Sequence, residues 1–184
     1  MWRILVAMAA MAAGSGISPA ADITVHVLNA AAVPQDVMQR AKQIAESVFE
    51  RGGIRSEWLF CPSAKDCAVP EDDSHFVIRI LSQSMEGNSP KRALATSIPE
   101  KRLAYVFFSR LERSRLAGDQ PVTVVLGSVL AHEAGHLLGI THSDKGIMRH
   151  QFGIADMRGA SVGKLIFDEA DLTKWRQAFM PEQP

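Results

Sequence analysis

Three of the six histidines of the chain lie in one short stretch, HEAGHLLGITH at positions 132–142. His132 and His136 are four residues apart, which on an α-helix places their imidazoles on one face, one turn apart. Such a pair can present two ring nitrogens to a single metal ion. Glu133 lies about 100° further around the helix, so its carboxylate can stand beside the ion and act as a general base toward water. The spacing predicts a metal-dependent hydrolytic site.

A third histidine, His142, can join this site only if the helix ends before it. An uninterrupted helix would carry position 142 about 1.5 turns beyond His136 and onto the wrong side. Gly139 lies between them and can adopt the left-handed conformation that ends helices. We therefore predict that the chain reverses at Gly139 and that His142 closes a three-histidine site. Three protein ligands with an open fourth position are typical of a catalytic zinc ion.

The elements around the motif are predicted from hydrophobic periodicity and turn residues. Strands are predicted at 23–28, 56–60, 76–81, 93–98 and 104–109. The segment at 93–98 lies between Pro90 and Pro99, which suits an edge strand. A helix is predicted between Pro34 and Gly52–Gly53, because apolar residues recur there at helical spacing.

Two further helices are predicted in the second half of the chain. The motif helix is expected over 121–138, with Asp119 as a plausible cap. A closing helix is expected over 168–179, capped by Asp168. Its packing face would consist of Leu172, Trp175, Arg176 and Phe179. The glycine-containing segment between these helices is predicted to be irregular, and the whole pattern favours an α+β fold with one mixed sheet.

Composition narrows the class of protein. The chain has 184 residues, 47% of them hydrophobic and 22% charged, as in soluble globular proteins. Its 20 basic residues equal its 20 acidic residues, which leaves no excess of positive charge for a phosphate backbone or an anionic membrane. We expect no nucleic-acid partner, no stable membrane insertion and a monomer.

The N-terminus has the pattern of a secretory signal peptide at 1–21. Arg3 precedes an apolar run at 4–13, and small residues follow it near an expected cleavage point at residues 20–21. A membrane anchor is the alternative, but ten apolar residues are about half of a bilayer span. We expect export to the periplasm or the medium, and a single domain over 22–184.

The chain contains two cysteines, Cys61 and Cys67. Export would allow a disulfide between them to persist and close a small loop. A zinc site is a weaker alternative, because five residues separate the cysteines and there is no second pair. A cysteine that maintains latency is weaker still.

The motif HExxHxxGxxH, followed by GlyIleMet at 146–148, resembles the metzincin clan of zinc endopeptidases. The resemblance extends over the order of elements and implies a metzincin-like zincin catalytic domain, with a twisted mixed sheet, an active-site helix, a methionine turn and a C-terminal helix. The segments 93–99 and 142–144 resemble the matrixin branch. We expect no inhibitory pro-segment, because the first strand directly follows the predicted signal peptide.

The resemblance implies a role for each matching residue. His132, His136 and His142 would bind one catalytic zinc ion, and Glu133 would be the general base. Gly139 would form the turn, and Met148 would be a packed floor beneath the metal. Matrixins often carry a structural zinc ion and calcium ions as well. Here His26 and His75 are isolated in sequence and no aspartate-rich loop has ion-ligand spacing, so we predict one metal only.

His150 occupies a position of particular interest. In some metzincins a tyrosine two residues after the turn methionine stabilises the tetrahedral intermediate, and here His150 takes that place. Its imidazole could donate a hydrogen bond to the developing oxyanion. The alternative is a solvated loop histidine.

The predicted reaction is hydrolysis of an internal peptide bond, with zinc activating a water and Glu133 taking its proton. An extended protein or peptide substrate would pair with the edge strand near 93–98. Specificity would come from residues just after Met148. The alternatives are a secreted zinc-binding module without turnover and a hydrolase of short peptides or another amide. Glu133, which is not a ligand, would have no purpose in a purely structural site.

Overall fold

A computed structural model of the chain describes residues 23–61, 67–83, 93–114, 116, 118 and 120–179. The predicted signal peptide at 1–21 and the predicted helix cap Asp119 lie outside the described residues. None of the helices in the described part is both long and apolar enough to cross a bilayer.

The described residues form five strands and five α-helices. The strands are β1 (Ile23–Asn29), β2 (Ser56–Cys61), β3 (His75–Leu81), β4 (Ala95–Ile98) and β5 (Leu103–Phe107). The helices are α1 (Gln35–Arg51), α2 (Phe108–Arg113), α3 (Val122–Leu137), α4 (Ile154–Ser161) and α5 (Glu169–Phe179). The strand order is β2-β1-β3-β5-β4, and β4 alone runs antiparallel to its neighbour. The predicted α+β class with one mixed sheet and an edge strand at 93–98 is confirmed.

Two short helices were not predicted. The strand expected to continue to residue 109 ends at Phe107, and α2 begins at Phe108. Both phenylalanines are buried. The apolar run therefore continues from β5 into α2, and the hydrophobic pattern does not show where the strand ends and the helix begins. Helix α4 occupies part of the segment predicted to be irregular. Its first turn is closed by the Asp156 carboxylate, which accepts a 2.7 Å hydrogen bond from the Gly153 amide.

The closing helix α5 agrees with its prediction except at Arg176, one residue of the predicted packing face. The Asp168 carboxylate accepts a hydrogen bond from the Ala170 amide, as expected of a cap. Leu172 and Trp175 are buried. Arg176 was predicted on the packing face; its guanidinium donates to the Gly52 carbonyl at the end of α1, but its side chain is 44% exposed and forms an ion pair with Glu169. A guanidinium needs a charged or polar partner, and the Glu169 carboxylate provides one at the surface. The side chain of Phe179 lies outside the described part of the structure.

The two faces of the sheet differ in what they contact. Along β1 the alternate residues Ile23, Val25 and Val27 belong to the core that is shared with α1 and α3. Thr24, His26 and Leu28 point to the other face, because successive side chains of a strand alternate. The disulfide between Cys61 and Cys67 lies on that second face, since Cys61 pairs with Leu28.

Helix α3 is buried on nearly every side, as expected of a helix between a sheet and other helices. It lies close against α1 at Gly127. A Cβ atom added to Gly127 would lie 2.7 Å from the Ala41 carbonyl oxygen and 2.7 Å from the Ile44 Cβ atom. The two helices can pack at this distance only because position 127 has no side chain.

We expect Gly127→Ala to lower the free energy of unfolding by about 1–3 kcal/mol, the usual range for overpacking. Gly159→Ala is the matched control, because its Cβ would have no neighbour closer than 4.0 Å. That variant should be unchanged or about 0.5–1 kcal/mol more stable, since alanine favours a helix over glycine. Urea unfolding followed by circular dichroism measures both, and equal destabilisation of the two variants would contradict this packing.

Candidate metal centre

The active-site helix α3 ends in a glycine turn, as predicted. Gly139 has a φ of 81°, in the left-handed region. The Gly139 amide donates to the His136 carbonyl at 2.9 Å, and the Ile140 amide donates to the Gly135 carbonyl at 3.0 Å. This pair of hydrogen bonds is the Schellman motif. It ends the helix and turns the chain back toward the histidines of its last turn.

The turn brings the three predicted histidines together. The Nε2 atom of His136 lies 3.0 Å from Nε2 of His132 and 3.1 Å from Nε2 of His142. All three ligand atoms lie within 4.8 Å of one another. Zinc–nitrogen bonds of about 2.0–2.1 Å in tetrahedral geometry separate two ligand nitrogens by roughly 3.4 Å. The cluster is therefore of the right size for one zinc ion.

Backbone carbonyls fix the orientation of two of the rings. Nδ1 of His132 lies 2.7 Å from the Ile147 carbonyl oxygen, and Nδ1 of His136 lies 2.8 Å from that of Ile140. A carbonyl only accepts, so each Nδ1 carries the proton and each Nε2 keeps its lone pair for an ion. This is the orientation that metal-binding histidines require.

The rings are also held in the neutral form that binds metals. Burial is the main cause that lowers the pKa of His132 to about 4; the hydrogen bond to the Ile147 carbonyl opposes this shift, and the neighbouring histidines add to it. Burial also lowers the pKa of His136. It lowers the pKa of His142 as well, although that residue is more exposed. Three neutral imidazoles with convergent lone pairs are the donor set expected for zinc.

Glu133 stands beside the three histidines with one carboxylate oxygen available. The residue is 6% exposed, and burial raises its pKa to about 8 in the metal-free chain. The Ser97 hydroxyl of β4 donates a hydrogen bond to the carboxylate and partly offsets this rise. No group among the described residues forms a hydrogen bond with Oε2. A buried carboxylate oxygen without a partner is costly, and its position is the one that a general base would occupy.

The segment after the motif packs under the helix. Met148 is fully buried, and a Cβ atom added to Gly135 would lie 2.5 Å from its sulfur. Gly146 has a φ of 70° and lies against the Ile166 carbonyl. The Ile147 amide donates to that same carbonyl at 2.8 Å. These contacts hold the Ile147 carbonyl in place for His132.

Two residues of the site were not identified from the sequence. Ser97 orients Glu133 from the edge strand. Asp171, on α5, accepts a 2.9 Å hydrogen bond from the Ser143 hydroxyl, next to His142. Asp171 is 5% exposed, which is unusual for an aspartate without such a role. Neither residue has a spacing signal, because both reach the site from distant elements.

A cleft of about 670 Å³ lies over the three histidines and Glu133. Its walls include the strand segment from Ala93 to Ser97 and the loop from Arg149 to Phe152. The Phe152 ring lies edge-on to His132, with centroids 5.4 Å apart. His150 is exposed in this loop, and its ring centroid lies 4.6 Å from that of His142. The structure thus places His150 at the metal centre without assigning it a role.

The sequence has no match among protein-family models or among curated protein sequences. Solved structures do resemble it. A zinc-dependent peptidase from Methanocorpusculum labreanum matches with a TM-score of 0.53 and 13% identity, covering 82% of this chain and 99% of that one. The archaemetzincin of Methanopyrus kandleri matches with a TM-score of 0.57 and 12% identity, and the match covers 88% of this chain and 97% of that one. The archaemetzincin of Archaeoglobus fulgidus, solved with malonate, matches with a TM-score of 0.52 and 12% identity, and the match covers 83% of this chain and 99% of that one.

These likenesses show the fold. The chain has the metzincin-like arrangement of a five-stranded mixed sheet, an active-site helix that carries the histidine motif, and C-terminal helices. None of these three structures is described as a matrixin, so they do not support the finer assignment to that branch.

The raised pKa of Glu133 predicts how the stability of the metal-free protein depends on pH. The folded chain keeps this proton up to about pH 8, whereas the unfolded chain releases it near 4.5. The free energy of unfolding therefore falls as pH rises through this window. Between pH 7 and 8 the contribution of Glu133 alone is a loss of about 1 kcal/mol.

Urea unfolding in the presence of a chelator measures this loss, and Glu133→Gln is the matched control. Glutamine has nearly the same shape but does not titrate, so the loss of about 1 kcal/mol should appear as the difference between the pH profiles of the two proteins. The same fall in both proteins would show that another group causes it.

Proposed function

We propose that the protein is a zinc-dependent endopeptidase that cleaves extended polypeptide segments. The observation that supports this function most strongly is the pairing of a three-imidazole cluster with the buried carboxylate of Glu133 at the base of one cleft. A structural zinc site would need the histidines but not a carboxylate with a free oxygen.

The chemistry divides between the ion and the chain. When bound, zinc supplies Lewis-acid chemistry that activates water and polarises a carbonyl oxygen. His132, His136 and His142 would hold the ion through Nε2. Oε2 of Glu133 takes the proton of the attacking water and later gives it to the leaving amine. The Ser97 hydroxyl donates to the carboxylate, and Oε2 is left without a partner among the described residues.

The substrate would bind along β4. Among the described strands it pairs with β5 alone and forms the edge of the sheet. Its residues and those just before it line the cleft together with Glu133. An extended peptide added to this edge would be held by main-chain hydrogen bonds. The four residues of β4 span about 13 Å at roughly 3.3 Å per residue, which favours polypeptides over short peptides.

The cleft also provides groups that could select side chains. Phe152 and Leu116 offer apolar contact, and Arg149 offers a cation that is already paired with Asp156 at 3.1 Å. We infer that the loop after Met148 sets specificity, as its position in the sequence suggests.

We further propose that the protein acts after export, as a monomeric single domain at 22–184 without its first 21 residues. The N-terminal apolar run supports this location, and so does the disulfide between Cys61 and Cys67, since oxidising compartments preserve such bonds. At the level of the branch, the segments 93–99 and 142–144 favour matrixins, whereas two of the compared structures are archaemetzincins.

Replacing Glu133 separates a peptidase from a zinc-binding module. We expect Glu133→Gln to reduce the cleavage of an unfolded protein by about 10²–10⁴-fold, the usual contribution of a general base. The zinc content of the oxidised protein, measured by elemental analysis, should stay at one ion per chain because Glu133 is not a ligand.

His142→Ala is the matched control, because it should lose both zinc and activity. A wild-type protein that binds zinc but cleaves neither unfolded proteins nor a peptide library would contradict the proposal. Faster cleavage of dipeptides than of long peptides would favour the alternative of a short-peptide hydrolase.

His150 is proposed to donate a hydrogen bond to the oxyanion. We expect His150→Ala to lower kcat by about 10²-fold or more with little change in KM, as when a group that acts only in the transition state is removed. Steady-state kinetics on one peptide tests this, with zinc content as the control for an intact site. Unchanged kcat would leave His150 as a solvated loop residue.

A further inference from the structure

A second group of histidine and cysteine side chains lies on the face of the sheet away from α1 and α3. Parallel pairing places His75 of β3 beside Thr24 of β1, and Cys61 of β2 beside Leu28. His26 lies between Thr24 and Leu28, and side chains two apart along a strand share a face. The register therefore gathers His26, His75 and Cys61 at one place, although His26 and His75 are 49 residues apart in sequence.

A chain of contacts fixes the protons of the two imidazoles. Nε2 of His75 lies 3.5 Å from the Asp72 carboxylate, and Nδ1 of His75 lies 2.9 Å from Nε2 of His26. A carboxylate only accepts, so in the neutral ring of His75 the proton is on Nε2 and Nδ1 is an acceptor. Nε2 of His26 must then donate to it. The remaining nitrogen of His26, Nδ1, is left with a lone pair.

That lone pair faces sulfur. Nδ1 of His26 lies 3.6 Å from the Sγ atom of Cys67, and the ligand atoms of His26, Cys61 and Cys67 all lie within 4.8 Å of one another. His26 is only 4% exposed. A disulfide sulfur has no proton to donate, so the contact with Cys67 leaves the lone pair of a buried nitrogen unsatisfied.

We propose that these three residues form a second zinc site that the disulfide closes and reduction opens. Zinc would be bound by Nδ1 of His26 and by the two thiolates, with the fourth position open to solvent. His75 and Asp72 are positioning residues, which orient His26 through its other nitrogen. Metal-binding histidines are usually held in this way by an outer carboxylate.

The reaction is balanced by a dithiol reductant. The dithiol gives two electrons and two protons to the Cys61–Cys67 bond, which becomes two thiols while the dithiol becomes a disulfide. Zinc then displaces the two thiol protons into solvent. The disulfide and the zinc-bound form are therefore alternative states of one site, and the redox environment determines which is populated.

The dimensions agree with this assignment. Tetrahedral zinc with bonds of about 2.05 Å to nitrogen and 2.3 Å to sulfur separates the two ligand atoms by roughly 3.6 Å, which is the distance from His26 to Cys67. Thiolates and an imidazole together are a donor set that zinc prefers over calcium or magnesium. The site shares no residue with the three-histidine centre.

The test is a titration of the protein with Co²⁺ in its oxidised and reduced forms. A phosphine reductant is used, because dithiols compete for the metal. We expect the oxidised protein to bind one equivalent without a thiolate-to-cobalt charge-transfer band. The reduced protein should bind two equivalents and show that band in the near ultraviolet. A reduced protein that takes up no additional metal, or shows no such band, would overturn the proposal.

Four variants show which residues bind the second equivalent of metal. The band should be absent in reduced Cys61→Ser. It should persist in His142→Ala, which disrupts only the three-histidine centre. His75→Phe removes the acceptor for His26 and should weaken cobalt binding by about 10–100-fold. Full affinity in His75→Phe and in His26→Ala would show that flexible cysteines alone bind the metal, and would also overturn the proposal. Circular dichroism verifies that each variant is folded.

Discussion

The reversal of the chain at Gly139 is the constraint on which the metal centre depends. Its two hydrogen bonds end α3 and direct the next residues back along the helix. The same turn presents the Ile140 carbonyl to Nδ1 of His136, so one short segment both brings the third imidazole and orients the second. A residue with a Cβ atom would be strained at a φ of 81°. The helix and the loop are therefore one structural unit.

Close packing against neighbouring segments stabilises the unit formed by α3 and the loop that follows it. Gly135 admits the sulfur of Met148, and Gly127 admits α1 against α3. The Ile147 carbonyl, which orients His132, is held by the backbone contact to Ile166. The chain thus uses main-chain groups, which vary little with sequence, to set the directions of its metal-binding rings. Among side chains, Ser97 contacts Glu133, and Asp171 bonds to Ser143 beside the third ligand, His142.

The sequence predicted the features that depend on local spacing. The histidine repeat, the turn at Gly139 and all five strands are encoded within short windows, and the structure contains each of them. Helix α4 was missed because glycines at 153 and 159 conceal its pattern, while α2 continues an apolar run. Ser97, Asp171 and the pairing of His26 with His75 could not be predicted, because sheet register and packing between distant segments determine them.

The open side of β4 has a kinetic consequence for any protein that would be cleaved here. Docking on a sheet edge uses amide and carbonyl groups, which are already satisfied within the helices and sheets of a native target. A segment can engage only after it detaches from its own neighbours, so the rate of attack would follow how often the target opens locally. The susceptibility of a target protein to cleavage would then depend on its conformational dynamics as much as on its amino-acid sequence.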